Sequence, residues 1–153
     1  MFQSISSPLR TAAAAFAIAA MPVPASAESS DERRKRGEAV VRSLNKGEPQ
    51  QALERMRQEF PFLAEATEAY ALGDVWSRTG LDSRTRQLAA VAAFAATGQT
   101  AFMKVHAGYA LNIGVPEAEL KEIVYLITVP AGISRAIAAS QALSELIAER
   151  RKH

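Results

Sequence analysis

Apolar residues recur at helical spacing along most of the chain after Ala27. Within 83–96, for example, Leu88, Val91, Ala92 and Ala95 lie three or four residues apart, the spacing that places side chains on one helix face. Helices are predicted at about 32–46, 49–60, 62–72, 83–96, 100–113, 116–127 and 134–151. No segment alternates with a period of two, so the pattern predicts an all-α fold, a compact bundle of about six to seven helices.

Local signals mark several helix ends. Asp82 is expected to cap the helix over 83–96, and Ser134 is expected to be the N-cap of the last helix rather than a nucleophile. Gly73 is expected to stop the third helix, because glycine is common just past a helix C-terminus. Trp76 and Arg78 would then lie in an irregular turn.

The helix predicted over 83–96 is apolar on every side. Beyond its helically spaced stripe, the rest of its surface is formed by Ala89, Ala90, Ala93 and Phe94. A helix that is hydrophobic all round is buried on all sides or covered by another subunit. A domain of this size has limited room to bury one completely, so the pattern favours a homo-oligomer.

The first 27 residues have the three parts of a secretory signal. Arg10 precedes an apolar run, TAAAAFAIAAM, which ends at two prolines before Ala25-Ser26-Ala27. This order predicts a signal peptide over 1–27, a helical domain over 28–153, and a periplasmic or secreted protein. The run is shorter than the roughly 20 apolar residues of a membrane-spanning helix. An uncleaved, disordered or membrane-associated tail is the alternative.

Composition excludes several kinds of chemistry. The chain has 18 basic and 16 acidic residues, a net charge of +2 that gives no strong attraction to nucleic acid. It contains no cysteine, which removes thiol nucleophiles, redox pairs and thiolate metal sites. Its single internal histidine and scattered acids lack metal-ligand spacing, and no glycine-rich phosphate loop follows a strand. We therefore expect no metal, cofactor or nucleic-acid partner.

His106 is the first candidate for chemistry. It lies on the apolar side of the predicted helix over 100–113, on one face with Phe102, Tyr109, Ala110 and Ile113. Its unperturbed pKa, near 6.5, suits a general acid or base around neutral pH. The alternative is a core histidine that is hydrogen-bonded to a neighbour.

The other candidates each have a structural alternative. Arg78 and Arg86 could pair with a substrate carboxylate, or Arg86 could form a buried salt bridge with Glu119 or Glu122. Trp76 could line a pocket or anchor the turn before the next helix. Glu122 could be a catalytic acid, but acids near a helix start are also common for stability.

Taken in order, these residues resemble the pattern of the carboxymuconolactone decarboxylase family. The matching positions are Gly73, Trp76, Arg78, Gly80-Leu81, Arg84, Arg86, His106, Asn112-x-Gly114-Val115, Glu119 and Glu122. The resemblance implies an alkyl-hydroperoxidase-like helical fold that assembles into trimers or hexamers. It also implies cofactor-free decarboxylation of a carboxylated muconolactone.

Two departures refine what the resemblance implies. A sister branch uses a Cys-x-x-Cys pair just before the histidine, and its absence here excludes a cysteine peroxidase. The lactone-decarboxylase branch usually has a glutamate four residues before the histidine, where this chain has Phe102.

The expected function is an exported, cofactor-independent lyase or isomerase-type enzyme acting on a small carboxylated lactone or keto acid. The expected catalytic residues are His106 as proton carrier, Arg86 and Glu122, and the substrate-binding residues Arg78, Trp76 and Phe102. A non-catalytic helical oligomer or ligand-binding module is the alternative.

Overall fold

Helices account for most of the part of the chain that the structure, a computed structural model, describes: residues 28–152. The predicted signal peptide, 1–27, lies outside these residues. The helices are α1 (Ser30–Leu44), α2 (Gln51–Glu59), α3 (Pro61–Glu65), a π-helix (Ala66–Trp76), α4 (Ser83–Thr97), α5 (Thr100–Asn112), α6 (Glu117–Leu126), α7 (Thr128–Ala131) and α8 (Ile133–Arg150). No strand occurs within 28–152, and the prediction of an all-α bundle is confirmed.

The main core lies between α4, α5, α6 and α8. Val91, Met103, Leu120 and Ala139 are fully buried there, one from each of these helices. The α4 and α5 helices pack side by side, and this packing places Gln87 of α4 opposite His106 of α5. No helix within residues 28–152 is long and apolar enough to cross a membrane.

A π-helix stands where the sequence predicted a helix end and a turn. The prediction that Gly73 stops the third helix is wrong, since the helix continues to Trp76. Gly73 and Gly37 instead lie at the crossing of the π-helix and α1. A Cβ atom at Gly37 would overlap the carbonyl oxygen of Glu68, and one at Gly73 would overlap that of Arg33. These glycines therefore permit a close backbone approach.

An ion-pair network joins α1, α2 and the π-helix. Glu68, only 1% exposed, accepts hydrogen bonds from Arg57 Nε at 2.9 and 3.1 Å. Arg57 also contacts Glu38 and Glu54, each at 2.9 Å. A buried carboxylate requires such partners, so this network fixes the π-helix that ends at Trp76.

The helix caps next to the site are partly as predicted. Asp82 caps α4 by accepting a 2.7 Å hydrogen bond from the backbone N–H of Thr85, which confirms that prediction. The assignment of Ser134 as a cap is wrong, because Gly132 is the N-cap of α8 and Ser134 lies in its first turn. Gly132 has a φ of 85°, a conformation that favours glycine and lets α8 begin directly after the turn.

Candidate functional site

His106 lies in α5 at the edge of the core and is surrounded by aromatic rings. Its ring centroid is 5.0 Å from that of Trp76 and 5.2 Å from that of Phe94, whose plane is nearly parallel at 16°. Tyr109 approaches edge-on at 6.1 Å. Three helical elements thus contribute to the group: the π-helix, α4 and α5.

The two nitrogens of the His106 ring have different surroundings. Nδ1 lies 2.8 Å from Oε1 of Gln87, a fully buried residue of α4. Nε2 has no hydrogen-bond partner among residues 28–152. Burial lowers the pKa of His106 from 6.5 to about 4, because desolvation disfavours the charged ring. At neutral pH the ring is therefore neutral, and its Nε2 can accept a proton if Nδ1 carries the hydrogen.

This pKa predicts an acid-sensitive fold. Between pH 6.5 and about 4 the unfolded chain protonates this histidine and the folded chain does not, so stability falls as pH drops through this window. The loss amounts to at most about 3 kcal/mol. Denaturant unfolding at pH 7 and pH 4.5 should show a smaller difference in the free energy of unfolding for His106→Gln than for the unchanged protein. An equal difference in both would contradict the lowered pKa.

Arg86 is held by backbone carbonyl groups. Its guanidinium donates to the carbonyl oxygens of Arg78, Leu81 and Val75, the last two at 3.2 and 3.4 Å. Its central carbon lies 5.9 Å from the centroid of Trp76, within cation–π range. Arg86 therefore fixes the turn between the π-helix and α4, and only part of its donor set is open to a ligand.

The predicted acids do not join this group. The alternative salt bridge from Arg86 to Glu119 or Glu122 is not formed, because Glu119 pairs with Arg84. Glu122 is exposed on α6, and its side chain makes no hydrogen bond or ion pair within the described residues. Arg84 therefore makes the ion pair with α6 that was considered for Arg86, and Arg86 bonds backbone carbonyls instead.

A cavity of about 330 Å³ adjoins the aromatic group. It is lined by Val40, Ser43, Leu44, Trp76, Ser77, Arg78, Thr79, Leu81, Asp82, Ser83 and Arg86. The wall contains two arginines and one aspartate, and the aspartate is occupied as the cap of α4. Trp76 belongs both to this wall and to the surroundings of His106, so it connects the cavity to the ring.

Phe102 occupies an outer position in the same group. It is 57% exposed and stacks on Phe94 with a centroid distance of 5.4 Å. The structure thus brings together five of the six predicted site residues. His106, Trp76, Arg86 and Phe102 form or contact the aromatic group, and Arg78 is exposed on the cavity wall that Trp76 and Arg86 share.

Sequence reasoning missed Gln87 and gave Phe94 no role in the site. Gln87 stands four residues before Val91 and eight before Ala95, so a polar side chain interrupts the buried stripe of α4. The sequence alone shows this interruption. It does not show that Gln87 pairs with His106, because their hydrogen bond spans 19 residues and depends on how α4 packs against α5. No group of three or more potential metal ligands occurs within the described range.

The fold and the site define an all-helical, cysteine-free domain with a half-buried histidine between aromatic rings. The sequence model of the carboxymuconolactone decarboxylase family matches residues 61–145, and the chain belongs to this family. A 4-carboxymuconolactone decarboxylase from Acinetobacter baylyi is 35% identical over 77 residues, which make up 50% of this chain and 58% of that protein. The chain thus spans little more than half the length of this curated relative.

Proposed function

We propose that the protein is an exported, cofactor-independent enzyme of lyase or isomerase type that acts on a small carboxylated lactone or keto acid. One observation carries this proposal. The neutral ring of His106, whose Nε2 has no hydrogen-bond partner among residues 28–152, lies beside Trp76, and Trp76 also lines a cavity that contains two arginines. Family membership and the similarity to a 4-carboxymuconolactone decarboxylase support this reaction class.

The proposed chemistry needs one proton carrier. When a carboxylate leaves as CO₂, the electrons of the broken C–C bond stay on the carbon skeleton, and a proton must take the vacated position. In an isomerisation the proton leaves one carbon and returns to another. In the isomerisation, His106 Nε2 would accept the proton from the first carbon and return it to the second. In the decarboxylation, Nε2 would take a proton from water and deliver it to the vacated carbon, and the neutral resting state of the ring suits the accepting step in both reactions.

The arginines would hold the substrate carboxylate. Arg78 is the better placed of the two, because it is exposed and lines the cavity. The donors of Arg86 are partly committed to backbone carbonyls. A planar guanidinium matches a carboxylate with two parallel hydrogen bonds. Glu122, also predicted to be catalytic, is not among the residues that line this cavity.

A panel of carboxylated lactones and keto acids tests the proposal. The purified protein without residues 1–27 is incubated with each compound, and thermal shift, CO₂ release and product are measured together. Turnover of a carboxylated lactone or keto acid without added metal or cofactor supports the proposal. Turnover limited to uncarboxylated compounds would overturn the assigned substrate class.

A ligand-binding module without catalysis is the second candidate. Two observations favour it: an apolar Phe102 replaces the acid that the family resemblance led us to expect, and the cavity wall does not include His106. In the same panel, this candidate gives a thermal shift with carboxylated compounds and no product. Arg78→Met, which removes the charge and keeps a similar length, should abolish the shift in either case.

We further propose that the protein forms a homo-oligomer. Large apolar side chains are exposed around α7 and the adjoining ends of α6 and α8: Tyr125, Leu126, Val129, Ile133 and Ile137, with exposed fractions of 50–86%. Ala89 and Ala93 of α4 are exposed as well. Such a concentration of apolar surface is typical of an interface, and the predicted trimer or hexamer would cover it.

Val129→Glu should reduce the oligomer to monomers, because a charge would be buried at the interface. Light scattering after size exclusion measures the mass. Phe62→Glu is the matched control, since Phe62 is 80% exposed and Val129 is 86% exposed, but Phe62 lies on α3. A monomeric unchanged protein would contradict the proposal.

Export remains a proposal that rests on the sequence of residues 1–27. Mass spectrometry of the protein recovered from the periplasm or medium should show a chain that begins at Glu28. A full-length chain confined to the cytoplasm would contradict it.

A further inference from the structure

Gln87 is a buried polar residue on an otherwise apolar helix face. It is fully buried, as are Val91 and Ala95 on the next two turns of α4. Every other residue of α4 that reaches the core at this depth is apolar. A glutamine at such a position requires a reason other than hydrophobic packing.

The hydrogen bonds of Gln87 are only half satisfied. Oε1 contacts His106 Nδ1 at 2.8 Å, whereas the Nε2 of Gln87 has no hydrogen-bond partner in the described part of the chain. A buried donor without a partner costs about 1–3 kcal/mol. Gln87 thus weakens the fold through its amide nitrogen while its amide oxygen contacts the candidate proton carrier, which is the pattern expected where stability is given up for function.

We propose that Gln87 is a positioning residue: by accepting the Nδ1 hydrogen of His106, it holds the ring in the tautomer whose Nε2 is free to take a proton. The inference rests on the proposed function of His106 as proton carrier. It goes beyond that function by naming the group that sets the tautomer and the nitrogen that reacts.

The uncharged amide of Gln87 also affects the pKa of His106. A carboxylate at this position would attract the positive charge of a protonated ring and raise its pKa. Glutamine accepts the same hydrogen bond without a charge, so the ring stays neutral and ready to accept a proton. Of the titratable residues, Tyr109 on its own helix packs against the ring, and Arg86 of α4 packs against Trp76; neither carries a negative charge at neutral pH.

Nitrogen-15 NMR of histidine-labelled protein at pH 7.5 tests the tautomer without any substrate. The chain has two histidines, so His106→Gln assigns the signals. We expect the hydrogen on Nδ1 in the unchanged protein. A hydrogen on Nε2 would overturn the proposal, whatever the enzyme activity proves to be.

Two variants of nearly equal size then separate positioning from packing. Gln87→Met removes the acceptor and the buried amide, so the Nδ1–H preference should disappear while the melting temperature stays the same or rises. Gln87→Glu should keep the hydrogen on Nδ1 and raise the His106 pKa by at least about one unit. Gln141→Met, the same change at an exposed site of α8, should alter neither.

If the panel yields a substrate, Gln87→Met should lower kcat about 10- to 100-fold with little change in KM. The acid limb of the kcat/KM profile should move to higher pH in Gln87→Glu. An unchanged tautomer in Gln87→Met together with a lower melting temperature would show a packing role and overturn the inference. An Nδ1–H tautomer without turnover of any compound would refute the proposed function and leave the tautomer assignment standing.

Discussion

Replacing His106 with glutamine is expected to lower kcat/KM for the identified substrate about 10²- to 10⁴-fold. Glutamine is polar and similar in length, but it cannot accept and release a proton near neutral pH. Arg78 and Arg86 line the cavity and His106 is not among its lining residues, so the variant should still bind the substrate. Steady-state kinetics together with thermal shift separate the two effects: turnover is lost and the ligand-induced shift remains.

His153→Gln provides the control for this prediction, because it removes the other histidine of the chain and should leave the rate unchanged. The unchanged protein should also lose activity only as pH falls towards 4, the value to which burial lowers the pKa of His106. Retained turnover in His106→Gln would show that another group moves the proton. An acid limb near pH 6.5 would show that the ring titrates as in solvent.

The helices and the Asp82 cap could be predicted because their signals are local. Helical spacing of apolar residues depends on neighbours three or four positions away, and Asp82 bonds an N–H only three residues along. The resemblance to the family pattern also put Trp76, Arg86 and His106 among the candidate site residues, and the structure places the rings of Trp76 and His106 5.0 Å apart.

The failures concern contacts between distant segments. Gly73 has the sequence signature of a helix end, yet its lack of a side chain serves the contact with α1. By charge alone, Arg86 could pair either with a substrate carboxylate or with Glu119 or Glu122. In the structure, Glu119 forms an ion pair with Arg84 instead. In both cases one residue type fits two physical roles, and only the packing of remote helices selects between them.

Gly37→Ala is expected to destabilise the protein by about 3 kcal/mol, at the upper end of what overpacking usually costs. The new Cβ would overlap the backbone carbonyl oxygen of Glu68 and lie 3.0 Å from Cβ of Leu72. A backbone oxygen in a helix cannot rotate away as a flexible side chain can. The α1 helix and the π-helix would have to separate, and Trp76, at the end of the π-helix, would move with it.

Gly108→Ala is the matched control, since Gly108 also lies inside a helix but has nothing within 4 Å of an added Cβ. Because alanine favours helices over glycine, this change should stabilise by about 0.5–1 kcal/mol. Urea unfolding followed by circular dichroism gives both free energies of unfolding, and tryptophan fluorescence reports on Trp76, the single tryptophan. Equal effects of the two substitutions would show that the crossing of α1 and the π-helix has room for a methyl group. The close contact at Gly37 would then not be what places Trp76 beside His106.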